Sequence, residues 1–209
     1  RADVVRDRGG IRVRSVTFRN VPSFVLHAGI SVRISGRDLR ADVAFGGAFY
    51  AIVDSEAAGI PVLPVRLDTL KTTGMAIKAA IEAAVRVEHP LEPGLHGIYG
   101  TIFTAPASDE TADLRNVTVF ADAEVDRSPC ATGTCAFMAV LAAMGLLTSE
   151  QTFTHESIIG SRFKGRVVGE VTVGELPAIV PEIQGDAYLT GEHTFHFDER
   201  DPFARGFRL

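Results

Sequence analysis

Tryptophan is absent from this 209-residue chain and cysteine occurs only twice, as Cys130 and Cys135. Two cysteines cannot scaffold a small fold, and the Cys-Xaa4-Cys spacing is neither a redox Cys-Xaa2-Cys pair nor half of a four-ligand zinc site. A reducing cytoplasm is therefore the expected compartment. No apolar run approaches the roughly 20 residues that span a bilayer, and no signal-peptide pattern is visible, so no membrane partner is expected. Positive charge is not in excess either. With 21 basic and 26 acidic residues the net charge is −5, and the basic residues are scattered, which argues against a nucleic-acid partner. What remains is the composition of a globular protein, 46% hydrophobic and 22% charged. One large or two small domains fit this length, and such a chain buries about 70% of its unfolded surface without help from disulfides or metals.

The chemistry is concentrated in residues 126–147. Asp-Arg-Ser-Pro-Cys-Ala-Thr-Gly-Thr-Cys leads into Ala136 to Leu147, which carry no charge. A helix apolar all round must be buried, and this one is too short to cross a membrane, so it belongs inside protein. Its N-terminus offers unpaired N–H groups and the positive end of the dipole to a carboxylate or phosphate. The same field lowers the pKa of a thiol, which predicts that Cys130 acts as a base or nucleophile near neutral pH. A buried structural cysteine at a helix cap is the competing reading. The polar Asp126-Arg127-Ser128-Pro129 ahead of it shifts the balance toward chemistry.

Asp126-Arg-Ser-Pro-Cys130-Ala-Thr-Gly-Thr134 resembles the second active-site motif of the proline racemase and 4-hydroxyproline epimerase family. Further segments resemble the family in the same order: Phe45-Gly-Gly-Ala-Phe-Tyr-Ala-Ile-Val-Asp54, Asn116-Val-Thr-Val-Phe-Ala121, His155-Glu-Ser-Ile-Ile-Gly-Ser161 and Ile179-Val-Pro-Glu182. The resemblance implies an α/β (α+β), diaminopimelate-epimerase-like fold of two pseudo-symmetric lobes. Each lobe is a β-barrel-like sheet around a central apolar helix, and each supplies one cysteine to a cofactor-independent site. On that basis residues 1–40 are a remnant of the first lobe, 41–182 form the second lobe, and 183–209 are strands returning to the first.

Two departures stand out. The family's first motif, of the Cys-Gly-His type, has no match upstream of Cys130, so the chain reads as lacking most of a first lobe, to be supplied by the same polypeptide or a second one. Ala131 replaces the usual Gly, a restriction if that position needs φ > 0.

The resemblance assigns Cys130 as one of two bases on opposite faces of an α-carbon. It places a substrate carboxylate at the amides of Ala131, Thr132 and Gly133, gives Asp126 the ring ammonium, and sets Phe120 against the pyrrolidine ring. For Phe120, plain core packing is an equal reading. The expected ligand is a cyclic amino acid, proline or 4-hydroxyproline, inverted without cofactor or metal. The alternatives are a trans-3-hydroxyproline dehydratase of the same fold and a truncated, non-catalytic amino-acid-binding homologue. Oligomeric state stays open, a homodimer included.

The rest of the chain reads as scaffold. Gly9-Gly10 punctuates early strands, and Pro22 ends a run in which Val16 and Phe18 alternate with polar residues. Residues 43–53 form one apolar, aromatic run, with Gly46-Gly47 inside it marking a bulge or close backbone approach. A helix is predicted over 68–87, with Leu70, Ile77, Ile81 and Val85 on one face. Strands are expected at 97–104, from Asn116 to Phe120, and at 152–160, 165–173, 178–180, 187–190 and 193–197. His193 and His196 point to opposite faces of such a strand, which disfavours a metal pair. His155 and Glu156 read as structural, with Gly160 and Ser161 near the pocket. Asp54 reads as a solvent-facing strand end, and Cys135 as core.

Overall fold

Period-two alternation dominates the chain, and the computed structural model, which describes residues 2–7, 10–188 and 190–206, turns it into one eleven-stranded sheet and two α-helices. Strands β1 (Ala2–Asp7) and β2 (Gly10–Arg19) form an antiparallel hairpin whose link, including Gly9, lies outside the described residues. Strands β3 (Ser23–Ile34), β4 (Arg37–Phe45) and β5 (Phe49–Asp54) follow as an antiparallel meander. Helix α1 (Leu67–Ala84) carries the chain over to β6 (Ile98–Pro106), parallel to β5. Strand β7 (Leu114–Phe120), the short β8 (Glu124–Val125) and helix α2 (Ala131–Ala143) come next. Strands β9 (Phe153–Ser157), β10 (Arg162–Val173) and β11 (Leu176–Gly185) complete the sheet.

Eight strands close on themselves in the order β3-β4-β5-β6-β7-β9-β10-β11, and β11 returns to β3 through Phe24↔Ala178 and Ser23↔Ile179. Strand β11 is shared: its later residues, Glu182 to Gly185, pair with Arg19 to Val16 of β2. The handover falls at Asn20, whose N–H donates to the Pro181 carbonyl at 2.8 Å, just before Pro22 breaks the chain. Closure removes the unpaired edges that an open sheet would expose. It also places β3 in the barrel, upstream of the boundary at residue 40 expected from sequence.

Two apolar layers result. Helix α2 fills the barrel, packing against Ala44, Tyr50, Ile52, Ile102 and Ile183. Helix α1 covers the outside of the wall with Leu70, Ile77 and Ile81 against Phe103, Val117 and Val119. Strands caught between the helices bury both faces: every residue from Phe49 to Val53, and from Asn116 to Val119, is buried. That is why 43–53 reads as one apolar run. It is in fact two strands, folded back at Gly46, Gly47 and Ala48.

Helix α2 starts earlier and ends earlier than the apolar run suggests. Thr132 and Gly133 belong to its first turn. Its end is set by Gly145 at φ 72°, with Leu146 N–H donating to Leu141 O and Gly145 N–H to Ala142 O, a Schellman stop. Burial holds through Leu141, whereas Met144 and Leu146 are exposed. The strands expected within 187–197 do not form among the described residues, which exclude Leu189, and His193 and His196 lie exposed there. Among the described residues no helix is long and apolar enough to cross a membrane.

Candidate active site

Inward-facing side chains of β5, β7 and β9 meet the first turn of α2 at one end of the barrel. Cys130 is the residue immediately before that turn, buried, with φ 63° and ψ 113°. A non-glycine residue held at positive φ is strained, and such strain gathers where the surrounding structure over-determines a site. Ala121 and Ala123, in the turn leading to this loop, share the feature at φ 47° and 65°. Ala131 does not: it is helical, so the position that requires unusual backbone is Cys130 itself, and the change from Gly costs nothing there.

The approach to Cys130 is pinned on every side. Asp126 Oδ1 accepts from Ser128 N–H at 2.8 Å and Ser128 Oγ at 2.9 Å, and Ser128 Oγ accepts from Cys130 N–H at 3.1 Å. The Pro129 carbonyl accepts from Asn116 Nδ2 at 2.9 Å and Thr134 Oγ1 at 3.2 Å. The buried Thr134 hydroxyl also lies 2.9 Å from Nδ1 of His155, whose ring packs against Phe137 and Phe153. Ser161 Oγ donates to the Arg127 carbonyl at 2.8 Å, which ties the segment after β9 to the same loop. Gly46 closes the other side, leaving no space for a side chain against the Thr132 carbonyl.

Around the sulfur stand Tyr50 and Thr132. Tyr50 Oη is 3.5 Å from Cys130 Sγ and 2.6 Å from Thr132 Oγ1, and Thr132 Oγ1 is 3.9 Å from the sulfur. Gly133 N–H is directed at Sγ. Burial is the largest influence on the thiol and pushes its pKa up. Hydrogen bonds from Tyr50, Gly133 and Thr132 oppose that, while the Asp126 carboxylate adds to it. The expectation of a depressed pKa therefore fails for this chain, because desolvation outweighs the helix terminus. Cys135 is core, as read from sequence: fully buried, its thiol is pushed up to about 12 by burial.

A model of the proline racemase family matches residues 2–208. The chain belongs to that family. It is 46% identical over 200 residues to trans-3-hydroxy-L-proline dehydratase of Bacillus cereus, an alignment covering 96% of this chain and 60% of that protein. It is 43% identical over 193 residues to 3-hydroxyproline 2-epimerase of Burkholderia multivorans, covering 92% of this chain and 58% of the relative. A hydroxyproline epimerase from Agrobacterium vitis, crystallised with trans-4-hydroxy-L-proline, superimposes with a TM-score of 0.84 at 32% identity, over 100% of this chain and 63% of that one. The chain thus spans about 60% of the length of the curated relatives it matches.

Within this family member, the residues singled out from sequence take different places around the thiol. Cys130, Ala131, Thr132 and Gly133 share the helix start, and Gly133 spends its N–H on the sulfur. Asp126 is half-buried and organises the loop through Ser128. Phe120 stacks on Tyr99 at 5.5 Å, and Tyr99 meets Tyr50 edge-on at 5.8 Å, so an aromatic chain leads from Phe120 to the thiol. Asp54 is exposed, accepting from Ala57 N–H at a turn. Glu156 is buried away from the thiol, bound by Ser108, Arg115 and Arg162. Sequence reasoning missed Tyr50, which sits inside a quoted family segment but 80 residues from its sulfur partner.

Proposed function

We propose that the protein containing this chain moves a proton at the α-carbon of proline or a hydroxyproline, with Cys130 as one of two acid/base groups on opposite faces of that carbon. The observation that carries the reading is the single buried thiol at a helix N-terminus, met by a backbone N–H and a phenol. The amides of Ala131 and Thr132, the first two of α2, have no acceptor within the helix and suit a substrate carboxylate. Negative charge that develops toward the enediolate is then stabilised where it forms. Asp126 takes the ring ammonium, and Phe120 with Tyr99 offers apolar surface to the ring. No cofactor is assigned.

Because burial favours its protonated form, Cys130 rests as the acid. The α-proton leaves to a base on the far face, which comes from a first lobe in the same polypeptide or a second chain. The Cys130 S–H then delivers its proton to the near face, and the sulfur is left as thiolate for the reverse turn.

The Bacillus relative favours a second reading. In a dehydratase the α-proton is removed, the 3-hydroxyl leaves as water, and the product tautomerises to a ketimine. Cys130→Ser in the full-length protein, assayed on L-proline, trans-4-hydroxy-L-proline and trans-3-hydroxy-L-proline, tests both. Inversion is expected to fall by about 10²-fold or more. Unchanged inversion of every substrate would remove Cys130 from the mechanism, and ketimine from trans-3-hydroxy-L-proline with the unmodified protein would give the dehydratase the lead.

A further inference from the structure

Tyr50 is fully buried, yet its hydroxyl stands between two acceptors at the heart of the site, Thr132 Oγ1 at 2.6 Å and Cys130 Sγ at 3.5 Å. A phenol carries one proton and can donate it to only one of them at a time. We propose that Tyr50 is a further catalytic residue whose O–H swings between Thr132 and Cys130 in step with the sulfur's protonation. This inference rests on the role of Cys130 proposed above.

The choice of acceptor follows from charge. A neutral thiol is a weak acceptor, so with S–H present the phenol donates to the closer Thr132 hydroxyl. A thiolate is a strong one, and hydrogen bonds to ionised groups are roughly twice as strong as neutral ones. Once Cys130 has given up its proton, the Tyr50 O–H turns to Sγ and joins Gly133 N–H there. When the α-C–H bond breaks in the reverse direction, its proton forms S–H, the electron pair passes toward the carboxylate, and the phenol returns to Thr132. Tyr50 neither gains nor loses a proton throughout. Burial, the charge of Cys130 and the bond to its sulfur all push its pKa far above the usual range, so it stays a donor.

The other groups facing the sulfur cannot substitute. Asp126 from the preceding loop opposes the thiolate by its charge, and Cys135 farther along α2 stays protonated at neutral pH. Tyr99 of β6 touches Tyr50 by its ring. His155 reaches the region only through Thr134.

Tyr50→Phe removes the donor and keeps the ring, so the packing around it is retained. In the full-length protein, iodoacetamide labelling of Cys130 would be followed against pH by the mass of its peptide. The labelling midpoint is expected to rise by about one to two pH units, a tenfold to hundredfold loss of thiolate at a fixed pH below it. kcat is expected to fall with little change in KM. An unchanged midpoint would overturn the proposal even if stability or activity dropped, since a structural role moves those alone. Labelling needs no turnover, so it separates this inference from the Cys130→Ser assay.

Discussion

At the scale of single residues, the site depends as much on what is small as on what is reactive. A Cβ on Gly46 would lie 2.2 Å from the Thr132 carbonyl oxygen and 2.5 Å from Ala136 N, both backbone atoms that cannot swing aside. The Gly46 carbonyl is meanwhile fixed by Asn20 Nδ2 at 2.7 Å. Gly46→Ala must push the turn between β4 and β5 off the start of α2, at a cost of about 1–3 kcal/mol. Urea unfolding would show the loss, and faster labelling of Cys130 would show the opened helix start. A midpoint equal to that of the unmodified protein would mean that the turn does not press on the helix.

At the scale of elements, α2 is held by contact all round rather than by one apolar stripe. Met138 is fully buried in the barrel, and a Cβ on Gly165 of β10 would lie 2.5 Å from its sulfur. Met138→Ala is expected to cost about 2–5 kcal/mol through lost transfer energy and a residual cavity. Gly165→Ala destabilises alone but part-fills that cavity, so the double variant should be more stable than the sum of the two losses predicts. A double-mutant cycle by urea unfolding measures this, and strict additivity would place the two residues out of contact. Helix α1 works differently, burying one face on the barrel's outer wall through Leu70, Ile77 and Ile81.

At the scale of the whole molecule, buried ionisable groups make the fold acid-sensitive. His155 is fully buried, and desolvation brings its pKa down to about 3. Above the unfolded value of about 6.5 the ring is neutral in both states and costs nothing. As pH falls from there toward 3 the unfolded chain takes up the proton and the folded one does not. Stability is then lost at about 1.4 kcal/mol per pH unit. Glu156 adds to this at lower pH. Burial raises its pKa, but hydrogen bonds from Ser108 and the Arg162 and Arg115 guanidiniums outweigh burial and hold it low. Its contribution is present above the unfolded pKa and goes as pH drops through the folded one. Urea midpoints should decline from about pH 6.5 downward, and His155→Gln should flatten the upper part of that decline. A His155→Gln slope equal to that of the unmodified protein would assign the loss to other groups.

The sequence by itself determined the local matters. Residues 131–141 carry no charge and so demand burial, the spacing of Leu70, Ile77 and Ile81 makes α1 one-sided, and the motif around Cys130 sets a thiol at the start of an apolar helix. Only the tertiary structure decided what surrounds them. Barrel closure at Phe24↔Ala178 joins residues far apart in the chain, and the arrival of Tyr50 at Cys130 depends on that closed wall. Both faces of β5 are buried, so apolar pattern could not separate β4 from β5 or show which side chains point inward. The thiol's pKa was decided the same way. The helix terminus is visible in sequence, but the burial that outweighs it comes from strands packed on every side.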